Sequence, residues 1–449
     1  MRYLASIAIL FVFFAITSMA QDSKESNSSE KWCLHFQSTI VMQGHPSFHS
    51  EYSGQNSLSD TAEPAMSITS TLYMGRELWK GASIYLNPEI AGGKGMSYTL
   101  GIAGFPNGQV FRVGDPAPTL YIGRFFFRQY IALPGSEYHP AEGELNQLAG
   151  ESIPASCIKI TVGKISLADG ELPMFDHNSY TDDAMSQFLN WALMTNGAWD
   201  YPANTRGYTP SFVVEFIKPT WAIRAGIELM PKVANGSDMD LNISKARGEN
   251  IEVEKDWKKN GRKGAVRLLA YRNFSHGRSY RDAIAASIDG SDTSLNVNSV
   301  GTYGGKKYGL GINAEQELTN DCGIFFRAGW NDGKTSSYVF TEIDQTITGG
   351  ISIKGIKWKR PDDVFGMAAV VNGISQDHID FLNAGGYGFI IGDGKLTHYG
   401  NEEIIETYYS ARMSKEIWAT LDYQFINNPA YNIDRGPVHV FGARVHVEF

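Results

Sequence analysis

Apolar and polar positions alternate with a period of two along this chain, in segments of about ten residues, the length a tilted membrane strand needs. The last segment is the clearest. Phe441, Ala443, Val445, Val447 and Phe449 fall on one face, and Gly442, Arg444, His446 and Glu448 on the other. Earlier, Phe212, Val214 and Phe216 alternate with Val213, Glu215 and Ile217, and Lys218-Pro219-Thr220 supplies a turn. Trp221, Ile223, Ala225, Ile227 and Leu229 then oppose Ala222, Arg224, Gly226 and Glu228. The pattern returns in Leu310, Ile312 and Ala314 against Gly311, Asn313 and Glu315, then in Ile324, Phe326, Ala328 and Trp330 against Arg327 and Asn331 after a Thr319-Asn320-Asp321 turn. It returns again in Thr407–Met413 and in Ile417–Phe425, with a turn at Ser414-Lys415-Glu416. In each case one face is apolar and the other carries Arg, Glu, Asp, Gln or Gly. Lipid outside and water inside demand that arrangement. Lipid cannot satisfy an open sheet edge, so the strands must close into a ring.

The expectation is therefore an all-β chain: a single transmembrane antiparallel β-barrel with short periplasmic turns and long extracellular or pore-folding loops. Long segments rich in Gly, Asn, Asp and Tyr (Asn87 to Pro118, Pro134 to Ser156, Ser166 to Thr209 and Ser275 to Lys307) are the expected loops. Such loops would be surprising in a soluble domain. At roughly 27 residues per strand with its share of loop, the chain holds about 16 strands, with 18 still open.

Arg2, an apolar run from Leu4 to Ile16, and small residues at Ser18 and Ala20 read as a secretory signal peptide over residues 1–20. Residues 21–31 read as a flexible lead, and residues 32–449 as the barrel, starting with a strand at Trp32. Ending on the aromatic Phe449 is the expected signal for the barrel-assembly machinery. No later run is long and apolar enough for a helical span.

Only 19% of residues are charged, and aromatics reach 12%, with 47 Gly, 22 Tyr and 24 Phe. That bias favours aromatic girdles and Gly-rich strands over a soluble domain. A net charge of −9 argues against nucleic acid. Cys33, Cys157 and Cys322 cannot all pair with one another and are too scattered for metal spacing; they read as small strand and turn residues, with one adventitious disulfide left open. Gly92-Gly93-Lys94 is followed by Gly95 rather than Ser or Thr and lacks the context of a phosphate loop. Asp238-Met239-Asp240-Leu241-Asn242 begins like a calcium loop but lacks its later Gly and Glu. No metalloprotease His pattern and no Gly-x-Ser-x-Gly elbow is present. No enzyme, metal or cofactor is expected.

Several stretches resemble the carbohydrate-selective outer-membrane porins of the OprB type. These are Glu406-Thr407-Tyr408-Tyr409, the run from Leu421 to Pro429, and Arg435-Gly436-Pro437-Val438. Arg360-Pro361-Asp362-Asp363 with Phe365-Gly366-Met367 is similar, as are Leu86-Asn87-Pro88-Glu89, Val162-Gly163-Lys164, Asp176-His177-Asn178-Ser179-Tyr180 and the run from Tyr201 to Tyr208. Together they cover most of the chain. The resemblance implies a 16-stranded barrel in the outer membrane of a Gram-negative bacterium, passing monosaccharides and other small solutes by passive diffusion.

By alternation, Arg124, Arg128, Arg224, Arg267, Arg327, Arg412 and Arg444 face the lumen, near Glu89, Glu215, Glu228 and Glu315. Phe125, Phe126 and Phe127 blur the faces around Arg124 and Arg128. Guanidinium donors and carboxylate acceptors together can replace a sugar's hydration shell piecewise, although such groups more often only pair across strands. The segment from Ser166 to Tyr208 is the candidate pore loop, with Asp176, Asn178, Tyr180, Asn190, Trp191, Asn196, Trp199 and Asp200. For Trp191 and Trp199, sugar stacking and ordinary loop packing stand level. The expected partners are outer-membrane lipid and small sugars, and a homotrimer stays open. A general or anion-selective pore is the alternative within transport; a barrel phospholipase would need a lipid-facing Ser-His pair that the sequence does not place.

Overall fold

A computed structural model describes residues 30–110, 116–168, 170, 172, 174–297 and 302–449. The leader expected at 1–20 and most of the lead at 21–31 lie outside these residues. The first strands are β1 (Trp32–His45), β2 (Glu63–Trp79), β3 (Ala82–Lys94) and β4 (Thr119–Ala132). A small ribbon follows, β5 (Tyr138–Pro140) with β6 (Ser152–Pro154). The wall resumes with β7 (Cys157–Ile165), β8 (Thr209–Lys218), β9 (Trp221–Glu228), β10 (Arg247–Lys259) and β11 (Arg262–His276). It continues through β12 (Tyr303–Thr319), β13 (Cys322–Asn331), β14 (Gln345–Gly355), β15 (Arg360–Gly373), β16 (Glu402–Arg412), β17 (Ile417–Asn427) and β18 (Val438–Glu448). All but β5 and β6 form one closed ring of sixteen strands, and β1 meets β18 with Gln37 opposite Glu448. Every neighbouring pair is antiparallel, so the ring leaves no unpaired edge for lipid to meet.

Alternation decides which side each residue faces. Leu120, Phe125, Phe212, Leu268, Leu310, Ile347, Leu421 and Phe441 project outward and are exposed on the isolated chain, where acyl tails would cover them. Their sequence neighbours Arg124, Val213, Arg267, Thr346 and Thr420 point inward and are buried. Trp32, Trp79, Trp257 and Trp358 ring the short-turn end. Three of their indole N–H groups are satisfied: Trp79 donates to Gln129 at 2.9 Å, Trp257 to Gln316 at 2.8 Å and Trp358 to the Tyr409 hydroxyl at 3.0 Å. Rings set in the apolar layer with a polar tip at its border form an interfacial girdle.

At that end the connections are short: 80–81, 219–220, 260–261 and 320–321 each join two strands. The opposite end carries 95–118, 166–208, 277–302 and 374–401. Two loop boundaries differ from expectation. The strand β3 runs through Asn87-Pro88-Glu89 to Lys94, so the loop expected from Asn87 starts at 95. Pro88 is tolerated because the register with β4 shifts there: Asn87 pairs with Arg124 and Pro88 with Ile122, which leaves Gly123 as a bulge. The segment 134–156 is not among the long-loop-end connections. It joins β4 to β7 at the short-turn end, where Leu133 N–H bonds the Ser156 carbonyl at 2.9 Å.

The three cysteines are unpaired; Cys33 and Cys157 are buried and Cys322 half-buried.

Candidate functional site

The interior of the ring is lined by a row of charged and polar side chains in strict register. Lys159 lies opposite Glu215, Glu215 opposite Arg224, and Arg224 opposite Glu252. One step along, Glu254 faces Arg267, Arg267 faces Asn313, and Asn313 faces Arg327. Opposite charges placed directly across antiparallel strands attract, and here they do so away from bulk water. Lys159 Nζ sits 2.7 Å from Glu215, and Arg224 reaches Glu215, Glu252 and Glu254 at 2.9, 3.0 and 2.5 Å. Arg267 bridges Glu254 at 2.9 Å and Glu315 at 3.3 Å. Three cations therefore stand among four carboxylates, a ladder with many donors and acceptors and little net charge. The alternation Asn250, Glu252, Glu254 between Ile251 and Val253 carried this information, although Glu252 and Glu254 were not among the expected pore residues.

Across this wall lies the segment 166–208, folded into the lumen as the sequence suggested. Its backbone cannot bond to itself everywhere, and the wall supplies the missing partners. Arg327, fully buried, donates to the Thr181 hydroxyl at 2.6 Å, the Leu193 carbonyl at 2.9 Å and the Asp176 carbonyl at 3.0 Å. It also pairs with the Asp176 and Asp182 carboxylates at 3.1 and 3.2 Å. Arg444 donates to the carbonyls of Ala184 and Gln187, both at 2.8 Å. Glu406 accepts the backbone N–H groups of Leu189 and Asn190 at 2.6 and 2.9 Å. Glu252 accepts Asp176 N–H at 2.6 Å, and Glu315 accepts Ser179 N–H at 2.6 Å. Gly311 and Gly329 leave the space Asn196 fills; a Cβ at either would fall within 2.3 Å of its side chain.

Other infolded segments use the same chemistry. Glu402 accepts the N–H groups of Ala103, Gly104 and Ala430 at 3.0, 2.7 and 2.9 Å. Asp200 accepts those of Tyr338, Val339 and Phe340 at 2.9, 2.8 and 3.3 Å, and Glu342 those of Ile390 and Ile391, both at 2.8 Å. Glu402, Glu406 and Glu342 were not among the expected pore residues, because their partners lie from 28 to about 300 positions away.

Apart from Trp191 and Arg412, the expected residues described here fall into three groups. Glu215, Arg224 and Arg327 belong to the charged row, and Asp176 and Asn178 lie on the loop beside it, with Asn178 donating to Asn313 at 2.8 Å. A second group surrounds the bulge. There Glu89 accepts the hydroxyls of Tyr208 at 3.0 Å and Thr71 at 2.7 Å, and is also bonded by Tyr121; Arg124 lies over the Tyr208 ring at 5.3 Å. Both Arg124 and Arg128 face inward, because the bulge at Gly123 keeps the inward face in step despite the three phenylalanines; Phe126 turns inward too and stacks on Tyr85 at 4.9 Å. Trp199, Asp200 and Glu228 form a third group within the loop packing. Trp199 is fully buried and donates to Asn250 at 2.9 Å, and Asn250 donates to Glu228 at 2.8 Å. Arg412, expected inside, sits half-exposed at the short-turn rim, bonded to the carbonyls of Ser414 and Lys415.

Trp191 takes a different position. It lines a cavity of about 270 Å³ on the long-loop side, together with Tyr98, Tyr201, Phe340 and Phe389 and with Asn204, Thr205 and Asn235. Trp191 stacks on Phe340 at 5.6 Å, and Phe340 lies 4.9 Å from Tyr201. Rings beside amides and a hydroxyl suit a ligand with C–H faces and rim hydroxyls.

His177, Glu252 and Glu254 bring ligand-capable atoms within 4.8 Å of one another. Arg224 and Arg267 already occupy both carboxylates, so a cation there would compete with two fixed guanidinium groups. Asp240, in the stretch that begins like a calcium loop, is taken by donors: His276 at 2.7 Å, the Tyr303 hydroxyl at 2.9 Å and Asn242 N–H at 2.8 Å.

Residues 55–449 match the family described as carbohydrate-selective porin, OprB family. The chain is 22% identical over 317 residues to porin AaxA of Chlamydia abortus, a match that spans 69% of this chain and 58% of that protein. It superposes on the high-pH structure of OprB from Pseudomonas putida with a TM-score of 0.67, at 16% identity, over 93% of this chain and 94% of that one.

Proposed function

Because the chain belongs to the carbohydrate-selective porin family, we propose that it is a passive outer-membrane pore through which monosaccharides and similar small neutral solutes diffuse into the periplasm. The observation that carries the reading is the paired row from Lys159 through Arg224, Glu254 and Arg267 to Glu315. A lining of alternating, mutually neutralised charges presents little net potential to an ion, yet it presents dense donors and acceptors to a hydroxylated solute. Sites that are weak and repeated let a solute enter and leave without being trapped. The aromatic cavity on the long-loop side supports the same reading, with Trp191, Phe340 and Tyr201 among its lining. Transport of this kind needs no reacting group and no cofactor.

The segment 166–208, clamped by the wall, sets the width of the passage. A general diffusion pore would pass solutes by size alone. Liposome swelling with a panel of mono- and disaccharides and amino acids of matched size tests the proposal. Monosaccharides entering faster than size-matched charged solutes is the expected result; uptake ordered by size alone overturns it.

A further inference from the structure

The connection between β4 and β7 is unlike the other short-turn-end connections, and neither the charged row nor the long loops account for it. Its stem, the β5–β6 ribbon, is largely exposed, with Lys80 against the Tyr138 ring at 5.6 Å. Its tip, residues 141–151, turns back into the barrel: Leu148 is 1% exposed, Asn146 3% and Glu151 6%. The tip closes on itself through Ala141 N–H to the Glu151 carbonyl at 2.8 Å and Gly150 N–H to the Ala141 carbonyl at 2.9 Å. It reaches the start of β1 through Glu30 N–H to the Ala149 carbonyl at 2.9 Å. It therefore lies across the inner wall from β4 to β1. Arg128, an inward residue of β4, holds it by donating to the Asn146 carbonyl at 2.9 Å, with Glu151 at 3.9 Å.

The polar groups at this contact are buried and incompletely paired. The whole side-chain amide of Asn146, Glu151 Oε1, Arg128 Nε and Thr161 Oγ1 have no hydrogen-bond partner among the described residues. Thr161 lies directly opposite Arg128 on β7, so the unpaired atoms share one stretch of wall. Unpaired buried atoms also occur elsewhere in the lumen, on Asn87, Arg267 and Arg444 among others, but at this contact they fall on the wall and on the infolded tip together. Buried donors and acceptors left without partners carry a standing cost that a water or a solute hydroxyl removes.

We infer that residues 141–151 form a second filter at the short-turn end of the pore, where Asn146, Glu151, Arg128 and Thr161 bind small polyhydroxylated solutes as they leave. The inference rests on the porin reading and adds a site to it. Only solutes able to donate and accept at once satisfy this set, so the tip selects by hydrogen bonding as well as by size.

The test compares wild type, a variant whose residues 141–151 are replaced by a short Gly-Ser bridge, and the double substitution Asn146→Ala/Glu151→Gln, each confirmed as folded by its heat-dependent gel mobility. Planar-bilayer conductance and liposome swelling with glucose and sucrose are read for each. The bridge variant is expected to conduct severalfold more than wild type and to admit sucrose, and the double variant to take up glucose severalfold more slowly without conducting more than wild type. Unchanged conductance and sucrose exclusion in the bridge variant overturn the inference. So does unchanged glucose uptake in the double variant, which keeps the backbone and serves if the bridge variant fails to fold. Wild type that passes no sugar overturns the porin reading itself.

Discussion

Replacing Arg327 by Met tests whether the wall holds the pore loop in place. The guanidinium is fully buried and makes three hydrogen bonds to the segment 166–208, besides its pairs with Asp176 and Asp182. Met fills much of the same volume but satisfies none of these groups, and it leaves Asp176, itself 3% exposed, without its cation. Breaking a buried pair by removing one partner costs about 3–5 kcal/mol. That shifts the balance between seated and released loop by roughly two to three and a half powers of ten. The barrel itself closes through sixteen strand pairings that do not involve the Arg327 side chain, so the loss should fall on the loop. In planar bilayers the variant should conduct more than wild type, with flickering, and limited proteolysis should cut within 166–208 while the heat-dependent gel shift survives. Wild-type conductance together with a protease-resistant loop would refute the reasoning.

Three further outcomes follow from the same geometry. Leu421→Arg places a charge at an outward position that is 70% exposed on the isolated chain, and should cost about 2–4 kcal/mol of folding free energy in bilayers if it lies near the midplane; urea titration in vesicles reads it, and a change below half a kcal/mol would deny that this face meets lipid. Glu402→Ala removes the acceptor for Ala103, Gly104 and Ala430 N–H and should loosen two infolded segments at once, seen as faster amide exchange at 103–104 and at 430 and not at 189–190, where Glu406 remains. Burial pushes the Glu151 carboxyl up, against the pull of Arg128 on β4 and with Glu77 of β2 adding to the rise. A raised acid stabilises the seated tip when protonated, so this contribution is complete below the ordinary carboxylate range and lost as pH rises through the raised value. Conductance should therefore increase with pH over that window, and Glu151→Gln should flatten the rise; an identical pH profile in the variant would contradict the assignment.

The sequence made the wall legible and left its purpose hidden. Period-two alternation is local, so the inward positions of Arg224, Arg267 and Arg444 follow from their neighbours alone. The bulge at Gly123 even kept Arg124 and Arg128 inward where three consecutive phenylalanines obscured the pattern. Partnership is not local. Glu406 meets Leu189 and Asn190 more than two hundred residues away, and Arg444 meets Ala184 and Gln187 at a greater separation. Nothing in the run Glu402-Glu403-Ile404-Ile405-Glu406 distinguishes a carboxylate that meets solute from one that seats a loop. Asn87-Pro88 suggests a turn by composition, yet the strand continues because the proline sits where the ladder is already broken. The segment 134–156 has the polar, Gly-bearing composition of an outer loop. Only the count of strands before it assigns it to the other end, and a single strand boundary misread reverses that count.

Sugar recognition by the paired charges inside the barrel is what would set this pore apart from a general diffusion pore. Single-channel current in planar bilayers, recorded as glucose is added and then with an equal osmolarity of glycine betaine, measures this directly. The structure predicts a saturable fall in ion current with glucose and a much smaller one with betaine, because the hydroxylated solute occupies donors and acceptors along the passage. Equal, non-saturating responses to both would mean that the lining does not recognise sugar.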